Sequence, residues 1–232
     1  GGARTVGLAG YTNAGKSSLF HALSGKKVLV EDKLFSTLET TVGRMEMSPR
    51  ILLADTIGFI DELPSDLLDA FHATLDESLR CDLLLLLADS SDETSELKRK
   101  LSTSRREVLD RNTGEALHMK VVLTKSDKGG DIEEAQEVVR TMGLPDALVV
   151  SSHIGQGLEE LRESIMYSLY GPKTTLIVSQ GLPGSRSPEA YVSQIYDLGI
   201  VTDKIGFELT LWCGQAELQR LIANSEGRVS IK

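Results

Sequence analysis

The sequence predicts an α/β fold in which helices cover both faces of a doubly wound, mostly parallel β-sheet. Two observations lead to this prediction. Short apolar runs of four to six residues lack the polar alternation of a sheet with one wet face, so they suit strands that are buried on both sides. Between these runs lie segments whose apolar residues recur at helical spacing, and strands that alternate with helices favour a parallel sheet.

The larger part of the chain holds five such pairs of elements. The predicted strands are Thr5–Gly10, Ile51–Ala54, Leu83–Ala88, Val121–Thr124 and Ala147–Val150. The predicted helices between and after them are Lys16–Ser24, Leu67–Leu79, Glu93–Arg111, Asp131–Met142 and Leu158–Tyr170. Ligands of parallel sheets bind beyond the carboxyl ends of the strands, so the residues that follow each strand are the first candidates for a site.

A second, smaller unit follows the break at Gly171-Pro172. Its predicted strands are Thr174–Ser179, Ile205–Cys213 and Val229–Lys232, and its predicted helices are Pro188–Tyr196 and Gln215–Asn224. We therefore expect two domains, residues 1–170 and a small C-terminal α+β domain of residues 171–232.

The composition is typical of a globular protein without membrane-spanning segments or a disulfide scaffold. The longest apolar run, Leu83–Ala88, is far below the roughly 20 residues that a spanning helix needs. Cys81 and Cys213 have no cysteine or histidine neighbours at metal-ligand spacing, which favours reduced thiols in a cytoplasmic protein. The net charge of −9 argues against a broad electrostatic grip on nucleic acid. We expect a monomer and, because no initiator methionine is present, further sequence upstream.

The first predicted strand runs directly into a loop that is typical of phosphate binding. The pattern G-x-x-x-x-G-K-[ST] lies between a strand and a helix, which is the context it requires. Its glycines let backbone N–H groups curl around phosphate oxygens, and the helix adds unpaired N–H groups and its dipole. The lysine supplies a cation for the β- and γ-phosphates, and the next hydroxyl ligates Mg²⁺. The fold class is that of a P-loop NTPase, with the nucleotide-binding candidates Gly10, Tyr11, Thr12, Asn13, Ala14, Gly15, Lys16, Ser17 and Ser18.

The next strand of the series ends in Asp55-Thr56-Ile57-Gly58. A carboxylate at the tip of a strand can hold a metal-bound water, which makes Asp55 a candidate for the metal site together with Ser17. Gly58 can present its backbone N–H to the γ-phosphate. A lone D-x-x-G is often only a turn, but one that lies about 40 residues after a phosphate loop predicts a γ-phosphate contact.

A third motif, Thr124-Lys125-Ser126-Asp127, predicts recognition of a base. It resembles the N-K-x-D element of GTPases, whose aspartate accepts hydrogen bonds from N1–H and the 2-amino group of guanine. Adenine offers the wrong pattern there, so Asp127 predicts guanine selectivity. Thr124 replaces the usual asparagine, which bridges the base and the phosphate loop, and we expect selectivity to survive with weaker affinity. Ser151-Ser152-His153 occupies the place of a loop whose backbone N–H contacts guanine O6.

In this order the motifs resemble HflX, of the Obg–HflX group in the translational GTPase superclass. The matching segments are Gly10–Ser17, Leu34-Phe35-Ser36-Thr37-Leu38-Glu39, Asp55-Thr56-Ile57-Gly58-Phe59-Ile60 with Leu63-Pro64, and Phe71-x-x-Thr74-Leu75-x-Glu77. The resemblance covers most of residues 5–170 and implies a GTP-binding G domain. The C-terminal unit is similar to a small domain that some members carry.

The resemblance implies roles for single residues. Thr37 would be the switch I threonine, whose hydroxyl completes the Mg²⁺ shell, with Phe35, Ser36, Leu38 and Glu39 around it. The implied metal ligands are Ser17, Thr37 and Asp55, and the implied catalytic residues are Lys16, Thr37 and Gly58. Phe59 stands where Ras-like enzymes place a glutamine that orients the attacking water, so slow intrinsic hydrolysis is expected. Asn13 matches an asparagine that coordinates K⁺ in several cation-dependent GTPases, which makes K⁺ a further candidate cofactor.

The same resemblance implies a partner, the large (50S) ribosomal subunit, and a role in splitting ribosomes under stress. Two other functions stay open. A nucleotide-sensing module with negligible turnover is favoured by Phe59 and Thr124, and an ATPase is disfavoured by Asp127. Lys98-Arg99-Lys100 and Arg105-Arg106 form a local basic helix face, which is either solvated or an rRNA contact.

Overall fold

The computed structural model describes residues 2–25, 28–29, 41–45, 51–55, 58–59, 61, 64–111 and 117–232. The chain divides into two compact units, Ala3–Glu163 and Ser164–Lys232. The division falls inside the helix Leu158–Tyr170, a few residues before Gly171. Among the described residues, no helix is long and apolar enough to cross a membrane.

The first unit is built on a seven-stranded sheet in the order β2-β3-β4-β1-β5-β6-β7. Its strands are β1 (Arg4–Gly10), β2 (Val28–Leu29), β3 (Thr41–Arg44), β4 (Ile51–Asp55), β5 (Leu83–Asp89), β6 (Met119–Thr124) and β7 (Leu148–Val149). Its helices are α1 (Lys16–Ser24), α2 (Ser65–Ser78), α3 (Thr94–Arg111), α4 (Ile132–Thr141) and α5 (Leu158–Tyr170), the last of which continues past Glu163. Strands β4, β1, β5, β6 and β7 pair in parallel, which confirms the predicted fold class.

Both faces of the sheet are buried, as the unbroken apolar runs predict. Leu84, Leu86 and Ala88 of β5 share one core cluster with apolar residues of α2, α3 and α4. The alternate residues Leu83 and Leu85 point to the opposite face and are equally buried. Helix α1 contacts β1, β3 and β4 and buries Leu19, Phe20 and Leu23, which lie outside that cluster. A strand of this kind shows no polar alternation because neither of its faces meets water.

Two antiparallel strands at one side of the sheet, β2 and β3, were not predicted from the sequence. Strand β3 pairs antiparallel with β4 and with β2, so its extended conformation is stabilised by hydrogen bonds to these neighbours. It offers little apolar pattern because Gly43 occupies a buried position. A Cβ at Gly43 would lie 2.7 Å from Cζ of Phe20, so the phenyl ring of α1 fills the space that a side chain would take.

The second unit has a four-stranded antiparallel sheet in the order β11-β8-β10-β9. Its elements are β8 (Thr174–Val178), α6 (Pro188–Leu198), β9 (Ile200–Ile205), β10 (Glu208–Trp212), α7 (Gln215–Asn224) and β11 (Val229–Ile231). This order of elements is the split β-α-β arrangement. The predicted strand Ile205–Cys213 is present as β10, but it begins later than predicted because the chain forms a hairpin that turns at Gly206 with φ +60° and leaves Ile205 in β9. Strand β9 was missed because most of its side chains are exposed, so no apolar alternation marks it.

Candidate functional site: a phosphate loop beside a base-recognition loop

The loop between β1 and α1 has the backbone that a phosphate cradle needs. A Cβ at Gly10 would lie 2.8 Å from the carbonyl oxygen of Leu87, so only glycine fits at the end of β1. Asn13 (φ +67°) and Gly15 (φ +89°) adopt the left-handed conformation, which turns the loop back toward the helix. Gly15 caps α1 without a side-chain hydrogen bond. A glycine at this position offers no side-chain acceptor to the first-turn N–H groups of α1, and such N–H groups suit an anion.

Lys16 and Asp55 are brought together at the start of α1. Asp55 ends β4, which pairs with β1 so that Leu8 lies opposite Asp55. The ammonium nitrogen of Lys16 lies 3.3 Å from Oδ1 of Asp55, and the two side chains are only 10% and 15% exposed. The lysine that is predicted to bind the phosphates and the aspartate that is predicted to bind the metal therefore lie next to each other.

The oxygen donors near this pair fit Mg²⁺. Ser17 and Ser18 are exposed on the first turn of α1, and Asp55 contributes a carboxylate. Among the described residues, no group of three or more histidines, cysteines or acids could hold a metal by itself. Mg²⁺ takes few protein ligands and completes its shell with phosphates and waters, so a hydroxyl and a carboxylate suit it. The proposed third ligand Thr37, with Phe35, Ser36, Leu38 and Glu39, lies outside the described residues.

The glycine of the second motif lies against the phosphate loop. The N–H of Phe59 donates to the carbonyl of Gly10 at 2.9 Å, and the N–H of Thr12 donates to the carbonyl of Phe59 at 2.9 Å. A Cβ at Gly58 would lie 2.9 Å from the backbone nitrogen of Thr12. Glycine is therefore required at position 58, whose backbone is held beside the loop. Thr56 and Ile57 lie outside the described residues.

The Phe59 side chain is a core residue. It is 4% exposed, and its ring centre lies 6.0 Å from that of Tyr11 and 5.7 Å from that of Phe71. A buried phenyl group offers neither a donor nor an acceptor to a water molecule. This environment agrees with the expectation that position 59 does not orient the nucleophile.

Thr124 connects the predicted base-recognition loop to the loop between β1 and α1. Its hydroxyl donates to the carbonyl of Ala14 at 2.5 Å and lies 3.2 Å from the carbonyl of Ala88. The side chain is buried, and a Cβ at Gly15 would touch it at 3.4 Å. The threonine thus makes the contact with the phosphate loop that an asparagine makes in the N-K-x-D element.

Lys125 makes a second connection between the same loops. Its ammonium group donates to the carbonyl of Asn13 and forms an ion pair of 2.8 Å with Asp89. Burial opposes ionisation of Asp89, but the hydrogen bonds from Lys125 and Ser91 outweigh it and lower the pKa of Asp89. Asp89 was missed from the sequence, because a single acid after a strand has no motif.

Asp127 is held as an ionised acceptor. The hydroxyl of Ser151 donates to its Oδ1 at 2.7 Å, and this hydrogen bond lowers the pKa of Asp127 below its usual value. The N–H of Ser126 donates to the carbonyl of Val150 at 3.1 Å, so the loop after β6 and the loop after β7 are joined through the backbone as well. Ser152 is half-buried and His153 is exposed. The carboxylate therefore keeps its charge and its direction.

Tyr11 takes part in a polar network that the sequence did not predict. Its hydroxyl donates to Oδ1 of Asp61 at 3.1 Å, and Arg99 of α3 donates to both carboxylate oxygens of Asp61 at 2.6 and 3.1 Å. Burial raises the pKa of Tyr11, and the hydrogen bond from Arg99 lowers the pKa of Asp61. Glu96 holds Arg99 from the other side at 2.6 Å. The network joins the phosphate loop, the residues after Gly58 and α3.

The protein family described as "50S ribosome-binding GTPase" matches residues 5–125, which is more than half of the chain and contains most of this site. The chain belongs to this family. The chain is similar to the GTPase HflX of Gluconacetobacter diazotrophicus, with 44% identity over 163 residues that make up 69% of this chain and 35% of that protein. It is also similar to the GTPase HflX of Thermococcus kodakarensis, with 38% identity over 168 residues, 69% of this chain and 38% of that protein.

These relatives confirm the predicted resemblance to HflX, and the chain spans less than half of their length. Among solved structures, a GTP-binding protein from Sulfolobus solfataricus in complex with GDP matches with a TM-score of 0.60 and 29% identity. The match covers 72% of this chain and 52% of that one. It confirms that the first unit has the fold of a P-loop GTPase.

Proposed function

We propose that this chain is the nucleotide-binding part of an HflX-type GTPase, a Mg²⁺-dependent switch that hydrolyses GTP to GDP and phosphate. The observation that carries the proposal is the position of Thr124, whose hydroxyl is bonded to the loop that precedes Lys16. Through this bond a base-selective carboxylate and a phosphate cradle become parts of one site. Residues 1–170 would form the G domain and residues 171–232 a small separate domain.

In this proposal the phosphates lie over the N-terminus of α1. The first-turn N–H groups and the loop backbone donate to phosphate oxygens, and the ammonium group of Lys16 turns from Asp55 to the β- and γ-phosphates. Ser17 and Asp55 hold Mg²⁺, directly or through water, with Thr37 completing the set when switch I closes. The metal ion neutralises charge on the β- and γ-oxygens. The N–H of Gly58 is the group that senses whether the γ-phosphate is present.

Hydrolysis is expected to be slow without a partner. Gly58 is followed by Phe59, whose side chain packs between Tyr11 and Phe71, so no side chain at this position places the water. Stabilisation then has to come from elsewhere. K⁺ is one candidate, held by the side chain of Asn13, because the backbone carbonyl of that residue already accepts from Lys125.

A second candidate function, a nucleotide sensor with negligible turnover, is favoured by the same burial of Phe59. Single-turnover hydrolysis of GTP, measured with and without 50S subunits and in K⁺ or Na⁺ buffer, separates the two. A switch enzyme accelerates at least about tenfold on its partner, as GTPases do when a missing group is supplied. A sensor shows the same negligible rate in every condition.

The proposed partner is the large ribosomal subunit. The basic face of α3 offers contacts, since Lys98, Arg105 and Arg106 have no ion pair within the described part of the chain, whereas Arg99 and Lys100 are paired with acids. Nucleotide-dependent cosedimentation of the full-length protein with ribosomal subunits tests this step. Binding that requires GTP supports it, and binding that is absent in both nucleotide states refutes it.

A further inference from the structure

Thr124 is a buried side chain through which the predicted base-recognition loop reaches Ala14, and its hydroxyl has few hydrogen bonds to offer. A hydroxyl group carries a single donor proton. That proton is directed at the carbonyl of Ala14 at 2.5 Å, with the carbonyl of Ala88 at 3.2 Å as the next acceptor. Both acceptors belong to the protein, so the side chain of Thr124 has no donor left for a ligand.

This capacity matters because a guanine presents two neighbouring acceptors, O6 and N7. In the proposed site Asp127 accepts from N1–H and the 2-amino group, and the backbone N–H of the Ser152 loop serves O6. N7 is the acceptor that remains. An asparagine at position 124 has two N–H donors and could serve both a backbone carbonyl and N7, whereas a threonine has to choose.

The structure points to a division of labour that rests on the proposed nucleotide site. We propose that Thr124 is a positioning residue that fixes the phosphate loop through Ala14 and leaves N7 of the guanine without a hydrogen bond from this position. The affinity for the base then comes from Asp127 and the contact with O6, and the choice of guanine over adenine is unaffected because both purines carry N7. The site is accordingly indifferent to whether atom 7 of the purine is nitrogen or carbon.

The test compares GDP with 7-deaza-GDP, in which N7 is replaced by C–H, by calorimetric titration in the presence of Mg²⁺. The wild-type chain is expected to bind the two ligands within about twofold of each other. Thr124→Asn supplies the missing donor and is expected to prefer GDP by about tenfold, the usual worth of one hydrogen bond in a buried site. An asparagine at position 124 that only held the phosphate loop would leave this ratio unchanged.

The anchoring half of the proposal is tested with a variant of the same shape. Thr124→Val removes the hydroxyl and leaves the Ala14 carbonyl unsatisfied, so both ligands are expected to bind about tenfold more weakly with an unchanged ratio. Thr124→Ser returns the hydroxyl and is expected to recover the lost affinity. The matched control is Thr141→Val, which removes a hydroxyl that donates to Val138 at 2.7 Å in α4, away from the site.

The results that overturn the inference are distinct from failure of the proposed function. A wild-type preference for GDP of tenfold or more would assign N7 to another donor. A Thr124→Asn variant that gains no preference would refute the division of labour, and a Thr124→Val variant that binds as well as Thr141→Val would refute the anchor. If the wild-type chain bound no GDP, the nucleotide site itself would be refuted and the inference with it.

Discussion

The ammonium group of Lys16 and the carboxylate of Asp55 form an ion pair of 3.3 Å between the first turn of α1 and the end of β4. Both side chains are largely buried, so removing either partner leaves a charge with poor solvation. The proposed mechanism requires both groups at this point, one for the phosphates and one for the metal. Substitutions here should therefore change ligand binding and folding stability together, and each has to be measured.

Lys16→Ala is expected to lower the affinity for GTP by about 100-fold or more, because a charge-assisted contact to phosphate is lost in a partly buried site. Calorimetric titration with GTP and Mg²⁺ measures the change, and thermal unfolding shows how much is due to stability. Lys204→Ala is the matched control, since Lys204 is exposed in the second unit. GTP binding by the Lys16 variant at the level of this control would refute the phosphate-loop assignment.

Asp55→Asn is expected to remove most of the Mg²⁺ dependence of GTP binding. The amide keeps the shape of the side chain but loses the charge that attracts a hard cation. The measurement is GTP affinity at increasing Mg²⁺, compared with Asp146→Asn, whose carboxylate pairs with Arg140 on the surface. A Mg²⁺ response in Asp55→Asn equal to that of Asp146→Asn would exclude Asp55 from the metal site.

The pH dependence of GDP binding should reflect the hydrogen bond from Ser151 to Asp127. This bond lowers the pKa of Asp127, so the ionised form is favoured and its contribution is complete above the usual aspartate pKa of about 4. The contribution is lost only as the pH falls through the lowered pKa. The contribution of Asp127 to GDP affinity should therefore stay constant from about pH 8 to about pH 5, whereas protonation of the terminal phosphate of GDP at about pH 6 changes the wild type and its variants alike.

Ser151→Ala removes that hydrogen bond and should raise the pKa of Asp127 toward its ordinary value. The acid limb of the GDP affinity profile then moves to higher pH, which titration at a series of pH values detects. Ser185→Ala serves as the control, because the Ser185 hydroxyl donates to the Leu182 carbonyl in the second unit. An unmoved acid limb in Ser151→Ala would show that Asp127 does not titrate as the guanine acceptor.

Gly58→Ala is expected to destabilise the phosphate loop, because the new Cβ would lie 2.9 Å from the backbone nitrogen of Thr12. Backbone cannot yield as a flexible side chain does, so about 1–3 kcal/mol of unfolding free energy should be lost. Chemical denaturation with and without GDP measures the loss. Gly2→Ala, where nothing lies within 4 Å, should cost almost nothing. Equal stability of the two variants would contradict the close approach of the two loops.

The parts of the site that follow local rules could be predicted from the sequence. The loop after β1 and helix α1 were predicted correctly because glycine spacing and helical periodicity involve only residues that are close together in the chain. The role of Thr124 was predicted only in part. We expected the shorter side chain to weaken the affinity for the nucleotide, which stays a prediction, and the sequence did not show that its hydroxyl reaches Ala14.

Other features depend on contacts between distant residues and could not be predicted. Arg99 and Asp61 are 38 positions apart in the chain. From the sequence we interpreted Arg99 as part of a basic helix face that is either solvated or in contact with RNA. Strand β3 was invisible because its buried position is a glycine covered by Phe20. In each case the structure of a residue depends on a contact with a residue far away in the chain, and a single sequence does not show which residue that is.

Phe59 is fastened from two directions, by backbone bonds to Gly10 and Thr12 and by ring contact with Phe71 of α2. Phe59 thus connects the loop between β1 and α1 to helix α2, whose outer side is exposed to solvent. If the loop binds a triphosphate as proposed, a displacement of Gly58 would also displace Phe59 and, through the ring contact, Phe71 of α2.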